Sequence, residues 1–458
     1  MLQEIMLVPS RTVRKLFGSL ILCLLAAYSS TTAQAQLTTE NLIGDAVSLS
    51  NRSYPEVEDA IQRFRNKDVE AAQAFLERAK EKYPKLPPTN VTMAKMFIVG
   101  RNGKAARLLL EKATVESPND PEAYLLLADD AFTSGRTTEA AVLFEKAGEL
   151  NEAFDENAKR KGKFEVRVIA GKAGVAERRQ QWETAEKLLR QWIEMDPDSA
   201  PGHQRLGVTL YRLDKFDEAR SEFKEARELR DDFNHPEIVM GRLFARDDKD
   251  KEAKQAYEKA YAADGDNEDT GRAYAEYLLK ENNLDEATKV SAKLVKQNPE
   301  SIPALLLDSV IAKLKGSSDL AKKNLTKILD IDPSNADATN LLAIILVDSE
   351  KQSDKDKALS YAQVNAQRFA KSPQARVTYS WVLHKLGKSR EAQASLKDIS
   401  GSNLTSDSGY LVSQMIADLG QKEQARKMLA QVLKRSETML LFEAKARDLL
   451  AKLEAEEK

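Results

Sequence analysis

The chain has 458 residues, 42% hydrophobic and 31% charged, with 14 Pro, 19 Gly and 6% aromatics. So few turn formers and aromatics disfavour a many-turned all-β fold and favour helices, and the length implies modules rather than one core. Lys and Arg total 70 against 72 Asp and Glu, a net charge of -2, which argues against a general nucleic-acid binder, and one Cys with three His leaves little for thiol or metal chemistry.

From the start of the chain, Arg11, Arg14 and Lys15 precede an apolar run from Leu16 to Ala27, and small and polar residues then lead to Ala33-Gln34-Ala35. This is the layout of a secretory signal peptide over residues 1–35, with cleavage expected after Ala35. The apolar run is short for a bilayer span, and an uncleaved segment would leave the chain attached to a membrane. Cys23 lies inside the run without a lipoprotein box around it, so cleavage removes the only cysteine and the remainder is held by packing alone. Residues 36–52 read as a flexible lead-in.

From Ser53 onward the chain repeats with a period of 34. Tyr124, Leu127, Ala128, Ala140, Phe144 and Ala147 occupy the same slots as His203, Leu206, Gly207, Ala219, Phe223 and Ala226. The pattern continues without a gap through Met240, Gly241, Ala253, Tyr257 and Ala260, through Tyr274, Ala275, Ala287, Ser291 and Leu294, and through Asp308, Ser309, Ala321, Leu325 and Ile328. Small residues at the eighth and twentieth slots let two helix backbones approach, and large ones at the fourth, seventh, eleventh and twenty-fourth fill the space between them. Pro84, Pro118, Pro197, Pro299 and Pro333 fall at the thirty-second slot and end second helices. Gly135, Gly316, Gly387 and Gly420 fall at the fifteenth, where the chain turns between helices.

This pattern resembles the tetratricopeptide repeat, whose unit is two antiparallel helices. The resemblance implies an all-α, right-handed α-solenoid of about eleven helix-turn-helix units over residues 53–439, starting at Ser53, Pro87, Pro121, Val166, Ala200, Asn234, Glu268, Ile302, Ala336, Pro373 and Ser406. A polar and basic insertion, residues 155–165, reads as a longer loop or a helix extension. The unit from Val166 fits least well, with Lys172 and Ala173 at its seventh and eighth slots and Trp192 at its twenty-seventh. The unit from Ala336 has a lengthened turn, and residues 440–458 suit a C-terminal capping helix.

No catalytic constellation is visible: the histidines are dispersed, and no phosphate loop, HExxH or GxSxG is present. No cofactor or metal site is expected, and the chain reads as a non-enzyme. By resemblance, function lies in an inner groove lined by first helices. Its middle stretch offers Arg167, Gln204, Arg212, Arg242, Arg246 and Arg272, a basic strip suited to an acidic peptide. Its C-terminal third offers Asn340, Trp381, His384 and Tyr410, a mixed aromatic and polar surface. The two-carboxylate clamp of chaperone-binding members of the family cannot be assembled from the corresponding slots. The expected function is therefore an exported, periplasmic or extracellular, non-catalytic scaffold that binds a protein or peptide. The alternative is an accessory role in envelope assembly or polysaccharide export.

Overall fold

The computed structural model describes residues 37–48, 53–397, 404–434 and 441–455, and these form 24 helices and no strand. The expected signal peptide, Cys23 included, lies outside the described residues. The chain divides into two units, residues 1–236 and 237–458.

In the first unit a short helix α1 (Thr39–Ile43) precedes five pairs. These are α2 (Pro55–Arg65) with α3 (Val69–Lys82), α4 (Thr89–Val99) with α5 (Gly103–Glu116), α6 (Pro121–Thr133) with α7 (Thr137–Ala153), α8 (Ala158–Arg178) with α9 (Trp182–Met195), and α10 (Ala200–Arg212) with α11 (Phe216–Leu229). The second unit opens on α12 (Pro236–Arg246) and α13 (Asp250–Asp264), followed by α14 (Glu268–Lys280) with α15 (Leu284–Gln297) and α16 (Ile302–Leu314) with α17 (Ser318–Ile331). Then come α18 (Ala336–Val347) with α19 (Gln352–Arg368), α20 (Pro373–Lys385) with α21 (Ser389–Leu396), α22 (Ser406–Asp418) with α23 (Lys422–Leu433), and a last helix α24 (Glu443–Ala455). The first helix of every pair except α8 begins at or within two residues of the position that the 34-residue spacing gives.

Proline and the αL turn set the helix ends. The helices α3, α5, α9, α15 and α17 each stop two residues before a proline, at Lys82, Glu116, Met195, Gln297 and Ile331. The residue preceding proline is pushed out of the α region by the ring, so the helix ends there. At the turn inside each pair, Gly135, Gly316, Gly387 and Gly420 have φ between 77° and 82°. Lys67, Arg101, Gln180, Asp214, Asp248 and Asn282 take φ of 56° to 65° at the equivalent slot of other pairs. The αL conformation is thus required by the turn whichever residue occupies it, and six units accept its cost in a residue with a Cβ. The unit from Ala336, with its lengthened turn, has no such residue.

Within a pair, small faces large. A Cβ on Gly207 would lie 2.4 Å from the Phe223 ring, and one on Gly241 would lie 2.8 Å from Tyr257. Phe144, Phe223, Leu189 and Leu325 are buried between the helices of their pairs, each such side chain contributing about 1.5–3 kcal/mol by leaving water. One unit replaces this apolar contact by a polar one. The buried Asp308 carboxylate accepts hydrogen bonds from the Ser291 hydroxyl at 2.6 Å and the Asn324 amide at 2.7 Å, so its burial leaves its oxygens paired. Trp192 fills a slot that is Ala in five other units and carries the Arg205 guanidinium 5.4 Å from its ring.

One segment departs from expectation and a second takes one of its two expected forms. Residues 37–48 do not form a flexible lead-in: α1 and its flanks bury Leu37, Leu42, Ile43 and Ala46 against α2 and α4. The insertion is mainly a helix extension, because α8 starts at Ala158, capped by the Asn157 side chain, which accepts from the Lys159 and Arg160 amides at 3.0 and 3.2 Å.

Candidate protein-binding surfaces

In the first unit, Arg167, Gln204 and Arg212 lie half-buried on α8 and α10. Arg167 donates to the Asp129 carboxylate at 2.5 Å, and the Arg212 guanidinium lies 5.6 Å from the Tyr211 ring centre. In the second unit, Arg242 is exposed on α12 beside Tyr257, whose hydroxyl burial pushes up to about 12. Arg246 lies 3.6 Å from Asp247, and Arg272 pairs with Asp269 at 2.7 Å. Three of the expected basic residues therefore already face a carboxylate on their own unit, which lowers the charge they present to a ligand.

The C-terminal candidates come together more closely. Trp381 is only 8% exposed and belongs to the core of the second unit, with its indole Nε1 buried and without a hydrogen-bond partner. The His384 ring lies 5.9 Å from it, with Nε2 2.8 Å from the Asp418 carboxylate. Tyr410 is buried, stacked on Phe442 at 5.0 Å. Its hydroxyl donates to Gln414 at 3.4 Å, and burial together with the charges of Asp418 and Asp348 pushes its pKa up. The Asp348 carboxylate sits between Lys385 at 3.1 Å and Lys313 at 3.8 Å. Burial pulls the Lys313 ammonium down despite that carboxylate, and the charges of Lys445 and Lys385 act in the same direction. Lys385 also lies 5.7 Å from the Trp381 ring. Asn340 is engaged elsewhere: its side-chain oxygen accepts from the Asn365 amide at 2.8 Å.

Sequence reasoning missed the most deeply buried charges of the molecule. Arg160, inside the insertion, is 1% exposed. Its guanidinium donates to both Asp120 oxygens at 2.8 and 2.7 Å and to Glu122 at 2.7 Å, and it lies 5.2 and 5.0 Å from the Phe154 and Phe164 rings. Glu122 is equally buried and also pairs with Lys95. Burial pushes the Glu122 carboxyl up, but the charges of Lys95 and Arg160 outweigh it and hold the pKa below its ordinary value. For Asp120 burial wins, and its pKa is raised despite Arg160. The one available signal was Asn157 ahead of a helix-forming run, a helix start inside a segment otherwise read as polar.

Among the described residues no group of three or more His, Cys, Asp or Glu side chains is placed to hold a metal ion, and no helix is long and apolar enough to cross a membrane.

The family model described as "Tetratricopeptide repeat" matches residues 99–153 and 171–233, the two matches flanking the insertion. The chain is similar to the Homo sapiens "Protein O-mannosyl-transferase TMTC3", 28% identical over 168 residues, and to the Mus musculus protein of the same name, 26% identical over 171. These alignments take in 34% and 36% of this chain but only 18% and 19% of those relatives. Among solved structures, yeast Tom70 is similar with 16% identity and a TM-score of 0.38, covering 88% of this chain and 96% of that one. A tetratricopeptide repeat protein from Parabacteroides merdae has 14% identity and a TM-score of 0.38, with coverage of 63% and 98%.

Proposed function

We propose, from the premise that this chain carries tetratricopeptide repeats, that it is a non-catalytic scaffold which binds a protein segment on the surface of its first helices. Within the second unit the binding surface is the group at the C-terminal ends of α16, α18, α20 and α22. The observation that carries this reading is the gathering of Lys313, Lys385, His384, Asp348 and Asp418 around a buried indole whose N–H has no partner. The indole itself lies in the core beneath this group, so a partner meets the charged and polar side chains above it. The two lysines, together with Arg242 on the same unit, favour a partner segment rich in carboxylates. The basic, apolar and Ala-x-Ala layout of residues 11–35 supports action outside the cytoplasm after export.

The test is capture of partners by the purified chain and by the variants Lys385→Ala, His384→Ala and Arg242→Ala, each checked for unchanged helical circular dichroism. Loss of a captured protein with Lys385→Ala or His384→Ala supports the surface. Equal capture by all three variants refutes it, and turnover of any substrate by the purified chain refutes the non-catalytic reading.

A further inference from the structure

The first unit holds its own segment 37–48 in the manner of a bound peptide. Four side chains from three separate helix regions donate to main-chain carbonyls of this segment. Arg65, at the end of α2, donates to Leu37 O at 2.7 Å, and Lys95, on α4, donates to Leu42 O at 3.1 Å. Asn157, ahead of α8, donates to Ala46 O at 2.8 Å, and Lys159 donates to Val47 O at 3.0 Å and also to Gly44 O. Carbonyl oxygens carry no side-chain identity, so these donors recognise a backbone. Specificity for side chains comes from apolar contact: Leu37, Leu42 and Ile43 enter one cluster with Val57, Ile61, Met93 and Met96 of α2 and α4. The opposite face of the segment, Glu40, Asn41 and Asp45, is exposed.

The insertion that breaks the repeat supplies this grip. Asn157 uses its whole side chain there, with the oxygen capping α8 and the amide donating to Ala46 O and, at 3.2 Å, to Lys85 O. Arg160 fixes the insertion to Asp120 and Glu122, and Lys95 contacts both Glu122 and the Leu42 carbonyl. The buried charges thereby hold the site in shape.

We propose that the face of the first unit made by α2, α4 and the start of α8 is a peptide-binding site, with residues 37–48 as its resident ligand. A partner segment of the same chemistry, amphipathic with apolar residues spaced like Leu37, Leu42, Ile43 and Ala46, binds there by displacing them. This rests on the reading of the repeats as a protein-binding scaffold but places a second site on the other unit. Because only residues 49–54 join residues 37–48 to α2, their effective concentration is of the order of 1 mM. For an intrinsic Kd of about 10 μM this closes the site to an outside peptide by about 100-fold.

The experiment uses the full chain and a fluorescent synthetic peptide of residues 37–48. Wild-type protein should bind it about 100-fold more weakly than the variant Leu42→Asp/Ile43→Asp, in which the resident segment is released. Adding Asn157→Asp, which keeps the helix cap but removes the amide donor, or Lys159→Met should weaken peptide binding to the released variant by about tenfold or more. If the released variant keeps its helical circular dichroism and does not bind the peptide, or if wild type binds equally well, residues 37–48 are only a terminal cap and the proposal fails. Should the released variant not fold, amide exchange on wild type decides. Unlabelled peptide at millimolar concentration should speed exchange at Leu42 and Ile43, and unchanged exchange overturns the proposal. Neither failure touches the surface in the second unit, which is tested by its own variants.

Discussion

Replacement of Arg160 by Met probes the strongest electrostatic prediction of the structure. The side chain keeps much of its volume between Phe154 and Phe164 but loses the charge. Asp120 and Glu122 then remain buried with Lys95 as the one cation in direct contact with either. Removing one partner from a buried ion cluster costs about 3–5 kcal/mol, because the surviving charges stay desolvated. The lost contacts of the guanidinium with two rings add about 0.5–2 kcal/mol. The pH dependence follows from the direction of each shift. Glu122, lowered in the folded protein, contributes stability present above its ordinary pKa and lost as pH falls through its folded value. Asp120, raised, acts in the opposite sense, its contribution being lost as pH rises through the folded value. In Arg160→Met both carboxyls lose a cation and both folded pKa values rise, so the deficit is complete at neutral pH and shrinks as the carboxyls protonate. Urea unfolding followed by circular dichroism, with amide exchange read on α4, α6 and α8, measures it at pH 7 and about pH 4.5. The reasoning is refuted by a loss under about 1 kcal/mol at pH 7 or by a loss that is the same at both pH values. The double variant Arg160→Met/Glu122→Gln should recover part of the loss.

The remaining predictions concern the repeat itself. Gly207→Ala places a methyl group 2.4 Å from the Phe223 ring and should destabilise the first unit by about 1–3 kcal/mol, seen as a lower urea midpoint. At the αL turn the two opposite changes should have opposite signs. Gln180→Gly relieves a residue at φ 58° and Gly316→Ala imposes a Cβ at φ 79°, each shifting stability by about 1 kcal/mol, upward and downward respectively. Equal effects of the two would show that the turn does not demand this conformation.

Much of the fold was legible because it is local. A spacing of 34 with small residues facing large ones fixes which stretches pair, and the proline and turn slots fix where helices end. Each pair closes over a few tens of residues, so the sequence pattern and the structure carry the same information. The αL turn was legible only where glycine marked it; Lys67, Arg101, Gln180, Asp214, Asp248 and Asn282 share the conformation with no residue type in common. Side-chain orientation was legible in part. Arg242 is exposed, whereas Trp381 and Tyr410, expected on a binding surface, turn into the core of the second unit.

Long-range pairing was decided by the tertiary structure alone. Arg160 meets Asp120 forty positions away, and Asn157 reaches Ala46 across 111. Nothing in the periodicity encodes either contact, because both arise where an insertion interrupts it. Charges in such a segment look solvated from the sequence, since long polar side chains usually are. Here two carboxylates and two aromatic rings surround the guanidinium, and that coordination makes its burial tolerable. The sequence by itself therefore determined how many helix pairs there are and where each one but that of α8 begins. The packing of distant segments determined which charges are buried and that the first unit closes over residues 37–48.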